Sequence, residues 1–150
     1  MQLKIKTFEQ LTKEELYEIL RLRMEVFVVE QGGRYQDLDQ IDYESTHIFI
    51  QDDQNEMVGC VRIFNKQDEI GTVQVGRLAT RLRNQKIGMT LMKKVETEAR
   101  QRYDAKELYL TGRHSALGFY IKCGYEVVSK ELGTLESPYY EFRKTIKKDC

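Results

Sequence analysis

Along the first eight residues, Leu3, Ile5 and Thr7 alternate with Lys4 and Lys6, a period of two that predicts a β-strand. The period then lengthens. Thr12 and Glu15 form a capping-box signature, and Leu16, Ile19, Leu20 and Phe27 recur at helical spacing until Gly32-Gly33 stops the helix. Residues 35–45 carry Asp37, Asp39, Asp42 and Glu44 with little periodicity, and read as an acidic, solvated loop. Residues 47–51, 58–64 and 71–80 predict three strands joined by polar turns. Ile87, Leu91, Val95 and Ala99 then fall four apart, marking a long amphipathic helix that reaches about Tyr103. A short strand at 108–110 follows, then a short helix at 115–123 ended by Gly124. Strands at 125–128 and 139–146 close the chain.

The order strand, helix, three strands, helix, strand, helix, two strands defines an α+β class. It predicts a mixed, mostly antiparallel sheet of about six to seven strands flanked by helices. The passage from strand 71–80 through the long helix to strand 108–110 should be a central β-α-β crossover, right-handed, between parallel strands. No repeat, low-complexity tract or linker interrupts the sequence, and residues 1–150 read as one domain.

Composition narrows the setting. The 41% hydrophobic and 32% charged residues suit a globular chain with a real core. Lys and Arg together number 24, and so do Asp and Glu, so no global field favours nucleic acid or an anionic membrane as a partner. The N-terminus lacks the apolar run of a signal peptide, and the apolar block 26–29 is too short to span a bilayer. Cys60, Cys123 and Cys150 are an odd, unclustered set, and the two histidines are far apart. Neither disulfides nor a metal site is expected, and a reducing cytoplasm is the expected address.

The most informative stretch runs from Val75 to Gly88, where a strand enters a basic turn that opens onto the long helix. The first turn of a helix has unpaired N–H groups and a partial positive charge, which attract an anion. Arg83 and Lys86 add full charges, and Gly88 would let backbone approach a ligand closely. A pyrophosphate suits such a turn. The bland alternative is a solvated basic helix start with Gly88 present for packing, and the local sequence leaves both open. Neither a Walker A loop nor a dinucleotide-binding G-x-G-x-x-G is present.

Arg83-Asn84-Gln85-Lys86-Ile87-Gly88 resembles the [QR]-x-x-G-x-[GA] motif of the GNAT acetyltransferases. Residues 116–125, Ala-Leu-Gly-Phe-Tyr-Ile-Lys-Cys-Gly-Tyr, resemble that family's A-x-x-[FL]-Y-x-x-x-G-[FY] signature. Residues 22–31, 35–39 and His47 are similar to the ElaA-like subgroup, so the resemblance covers nearly the whole chain. It implies the GNAT fold, acetyl-coenzyme A as cosubstrate, no metal, and an acceptor that is a small-molecule or protein amine. A homodimer is the family default. Three departures stand out: Lys86 replaces the first motif glycine, the link from Thr80 to Arg83 is about two residues short, and Pro138-Tyr139 stands where the subgroup has Pro-His. A site needing φ > 0 at Lys86 would cost ~1 kcal/mol.

The resemblance carries roles to particular residues. Arg83, Asn84, Gln85, Lys86, Ile87 and Gly88 would bind the pyrophosphate through their backbone. Leu78, Ala79 and Thr80 would pair with the pantetheine arm and offer an N–H to the thioester oxygen. Tyr120 would donate to the departing thiolate as general acid. For removing the proton of the amine, whose reference pKa is about 10.4, three agents stand level: Glu30, His47 and ordered water. Glu30 ends an apolar run, where a carboxylate pKa can rise, and His47 titrates in the right range. The acidic loop could draw in a cationic amine. A competing reading is a non-catalytic acyl-coenzyme A sensor or regulatory module, which needs the phosphate turn but not Tyr120.

Overall fold

The computed structural model describes residues 1–81 and 84–147. Strand β1 (Gln2–Thr7) leads into α1 (Lys13–Met24), followed by β2 (Thr46–Gln51), β3 (Met57–Asn65) and β4 (Thr72–Thr80). Then come α2 (Gln85–Tyr103), β5 (Glu107–Arg113), α3 (Leu117–Lys122), β6 (Glu126–Val127), β7 (Leu132–Gly133) and β8 (Pro138–Thr145). The strands form one mixed eight-stranded sheet in the order β1-β2-β3-β4-β5-β8-β6, with β7 also on β8. The only parallel pair among the described residues is β4 with β5, joined through α2. This is the α+β arrangement that the periodicity predicts, with two-residue β7 added.

α1 begins at the predicted capping box. Glu15 N–H donates to Thr12 Oγ1 at 3.0 Å, and Thr12 N–H donates to Glu15 Oε1 at 2.9 Å. Its apolar run does not continue as one α-helix to the glycines. A π-helical turn, Glu25–Glu30, intervenes before Gly32 ends it at φ +68°.

β2 is buried at all six positions because both faces of the sheet are covered. Ile48, Val61, Val73 and Leu108 meet Leu91, Val95 and Phe142 in the main core on the α2 side. On the opposite face Phe49, Cys60 and Ala79 pack with Ile19, Leu22 and Val26 of α1 and the turn after it. That second layer lies over the β1–β4 half of the sheet.

The acidic segment overturns its sequence-based reading. Asp37 and Asp42 are each only 6% exposed, and residues Ile41–Glu44 coil into a 3-10 turn. Arg23 of α1 and Arg62 of β3, both buried, and half-buried Arg77 of β4 hold the segment down. No helix among the described residues is long and apolar enough to cross a membrane.

Candidate active site

β4 and β5 pair only at Thr72–Glu107, Val73–Leu108 and Gln74–Tyr109. Beyond that point the strands separate. β5 continues to pair with β8 as far as Arg113–Tyr139, while β4 keeps only β3 as its neighbour. A bulge in β4 accompanies the parting: Cys60 faces Ala79 and Arg62 faces Gly76, which gives β4 one extra residue. Arg77 sits in that bulge at φ +55°, an uncommon conformation for a side chain of its size. Leu78, Ala79 and Thr80 therefore lie on an edge with no strand partner on the β5 side. Such an edge presents backbone groups to an extended ligand arm.

The N-terminus of α2 follows directly. Asn84 is its N-cap, and Asn84 Oδ1 accepts from Lys86 N–H at 3.0 Å and Ile87 N–H at 3.3 Å. Gly88 N–H donates to the Asn84 carbonyl at 3.1 Å. Three of the amides expected to meet a pyrophosphate, those of Lys86, Ile87 and Gly88, are thus satisfied locally, two of them by a side chain that can swing away. Gln85 opens the helix and is exposed, as is Lys86. Lys86 is helical rather than left-handed, so the cost that a positive φ would bring there does not arise. Gly88 faces inward. A Cβ there would meet Phe119 Cζ at 3.0 Å, which makes this glycine a packing contact between α2 and α3. Arg83 lies outside the described residues.

Tyr120 reaches the splay from the β5 side. Its half-buried ring rests on Gly112 of β5, where a Cβ would come within 2.5 Å of Tyr120 Cε2. Phe142 and Phe119 flank it at centroid distances of 5.2 and 5.4 Å. Burial pushes the Tyr120 phenol up to about 12. Cys123 is half-buried against Met89, with 3.3 Å between sulfurs, and burial raises its thiol too.

The two side chains considered as bases lie in opposite settings. His47 is 2% exposed, and its Nε2 lies 3.0 Å from the Asp42 carbonyl, which can only accept, so Nε2 carries the proton. Burial lowers its pKa, which outweighs the help from Asp42. Glu30 is exposed at the end of the π-helical turn.

Around His47 lies a network that the sequence reading missed. Arg23 reaches Asp37 at 3.0 Å and Asp42 at 2.8 Å; Arg62 reaches Asp39 at 2.6 Å and Asp42 at 3.0 Å. Arg77 reaches Asp37 at 2.9 Å and Asp39 at 3.2 Å. Each aspartate faces two arginines, so the loop has no unpaired carboxylate among these three with which to attract an amine. Asp39 is held down to about 2: burial opposes ionisation, but the Arg62 hydrogen bonds and the charges of Arg62 and Arg77 outweigh it. A signal was available in the sequence. Arg23 falls within the apolar stripe of α1 and Arg62 within the apolar run of β3, and a charge so placed needs a counter-ion.

An unpaired strand edge, a helix N-terminus and a phenol thus border the parting of the parallel pair β4 and β5. The acetyltransferase (GNAT) domain profile matches residues 9–145, and this chain belongs to that family. Protein ElaA of Escherichia coli (strain K12) is 33% identical over 124 residues, 81% of each chain. The crystal structure of Escherichia coli ElaA superposes with a TM-score of 0.86 at 28% identity, covering 95% of this chain and 98% of that one. An acyl-CoA N-acyltransferase from Pseudomonas aeruginosa is similar to the same degree, with a TM-score of 0.86, 26% identity and coverage of 96% and 99%.

Proposed function

We propose that this protein moves an acetyl group directly from acetyl-coenzyme A to a primary amine, with the thioester seated in the gap between β4 and β5. The observation that carries this reading is the early parting of those strands, which leaves residues 75–80 with a free backbone edge between the start of α2 and Tyr120. In this scheme the pyrophosphate displaces the Asn84 side chain and takes over the Lys86 and Ile87 amides. The pantetheine arm pairs along Leu78, Ala79 and Thr80, and an N–H of that edge stabilises the thioester oxygen as charge develops.

The neutral amine attacks the carbonyl carbon, the C–N bond forms, and the C–S bond breaks as the tetrahedral intermediate collapses. The nitrogen loses one proton, and the thiolate finally gains one. Tyr120 serves the thiolate chiefly as a hydrogen-bond donor. Full transfer from a phenol at about 12 to a thiolate whose conjugate acid has a reference pKa near 8.5 is uphill. The burial of His47, whose proton is committed to Asp42, favours Glu30 or ordered water for deprotonating the amine.

Thiol release from acetyl-coenzyme A across a broad amine panel tests the reading, with Tyr120→Phe alongside. The expected outcome is turnover with at least one amine, reduced by about 10²-fold in Tyr120→Phe with coenzyme A affinity nearly intact. Thermal stabilisation by coenzyme A without thiol release would replace transfer with the sensor reading. Unchanged turnover in Tyr120→Phe would remove the phenol from the mechanism.

A further inference from the structure

Resting on the transfer reading above, we infer that the acceptor amine carries an anionic group, of the carboxylate kind, held by Arg113 at the mouth of the splay. Strand geometry sets the direction. Leu108 and Leu110 are buried in the core on the α2 side, and Gly112 lies under Tyr120 of α3. Alternation then turns Tyr109, Thr111 and Arg113 to the other face of the sheet. With the phosphates at α2 and the phenol on α3, the cofactor occupies the first face. The amine enters from the second, where the loop containing Tyr35 borders the gap.

Charge on that second face is unevenly spent. Arg23, Arg62 and Arg77 are matched one for one by Asp37, Asp39 and Asp42 in six ion pairs. Arg113 stands outside the set. It is half-buried at the last position of β5, and no hydrogen-bond or ion-pair partner joins its side chain among the described residues. It acts electrostatically on the Tyr35 phenol, whose ring in turn has the Arg77 guanidinium 5.3 Å from its centroid. The mouth therefore presents three paired aspartates, an aromatic ring and a guanidinium with no ion-pair partner, the Glu141 carboxylate lying on the same face opposite Thr111. A polyamine would meet repulsion there. An amine with a carboxylate, as in an amino acid or a chain terminus, would give Arg113 the bidentate partner that its planar fork suits.

The test compares amines bearing a carboxylate with their primary carboxamides, which keep size and amine but lose the charge. In the wild type, kcat/KM for the acids should exceed that for the carboxamides by about ten-fold or more, the usual scale of a charge-assisted pair. Arg113→Gln should bring that ratio close to one, while Arg113→Lys retains part of it. Coenzyme A affinity and melting temperature check that each variant is folded. Equal turnover of acid and carboxamide by the wild type, or a ratio that survives Arg113→Gln, overturns the assignment. Calorimetric binding of the same pairs to the coenzyme A complex separates the subsite from the transfer reaction. If no amine turns over, transfer fails, and tighter binding of acids that is lost in Arg113→Gln still supports the subsite; equal binding overturns it.

Discussion

Arg77 Nε lies 2.9 Å from Asp37 Oδ1, and through this pair the bulge of β4 is tied to the loop on the far side of the splay. The bulge needs φ +55° at Arg77, which favours glycine, yet the position holds the longest cation available. Its second contact, to Asp39 at 3.2 Å, and its ring contact with Tyr35 fix the same loop. Removing the side chain in Arg77→Ala should lower stability by about 1.5–3 kcal/mol, the range for losing charged hydrogen bonds. Arg77→Gly relieves the backbone strain and should be about 1 kcal/mol less destabilised than Arg77→Ala, despite the usual flexibility cost of glycine. Denaturant titration of both variants decides this. Glycine as the worse of the two would mean that the bulge is not strained.

Gly112 and Tyr120 form an equally close contact. A methyl group at Gly112 would meet Tyr120 Cε2 at 2.5 Å and Phe142 Cε1 at 3.0 Å; Phe142 is buried in the core and Tyr120 packs against it. Gly112→Ala should cost about 1–3 kcal/mol as overpacking. It should also lower kcat more than it raises KM for acetyl-coenzyme A, because it displaces the phenol and leaves the phosphate turn untouched. An unaltered kcat in the folded variant would show that the position of the phenol is immaterial.

The Asn84 side chain and a bound pyrophosphate compete for the same two amides. Asn84→Ala should destabilise the free protein by ~1 kcal/mol, as loss of an N-cap does. At saturating coenzyme A that deficit should shrink, since the phosphate then satisfies the helix start. Melting temperatures with and without coenzyme A give the comparison. An identical loss in both conditions would place the phosphates elsewhere.

Two paired carboxyls, Glu15 and Asp39, and the buried His47 shape the response to acid. Burial opposes ionisation of Glu15, but hydrogen bonds from Lys6, the Thr12 N–H and Lys4 hold the carboxyl down at about 2, and Asp39 is held equally low. Carboxyls depressed in the fold contribute stability that is full above their unfolded values, near 4, and is lost as pH falls toward 2. His47 acts earlier. Its pKa is lowered by burial, so the unfolded chain binds that proton first, and stability declines as pH drops below about 6.5. Stability measured from pH 7 to pH 3 should fall gently and then steeply. Glu15→Gln should flatten the steep phase without changing the gentle one. A profile level between pH 7 and pH 5 would contradict the burial of His47.

Near-neighbour patterns account for what could be read along the chain. Alternation at Leu3 and Ile5, the four-residue spacing from Ile87 to Ala99 and the Thr12–Glu15 cap each lie within a few residues, and each formed the element it predicts. The basic turn and the motif around Tyr120 are also local, so the residues proposed for the cofactor site could be named without coordinates. The role of Gly88 was not legible, because its neighbour Phe119 is on another helix.

Sequence alone determined the order of elements, the α+β class and the family motifs, because periodicity and capping are properties of adjacent residues. Tertiary structure decided which charges cancel. Arg23 meets an aspartate 14 residues away and Arg62 one 23 residues away, and Asp37, Asp39 and Asp42 are paired only because the sheet brings those partners together. It also decided where β4 leaves β5 and which arginine remains without a counter-ion. These follow from long-range packing, in which burial makes an unpaired charge costly and so dictates its partner.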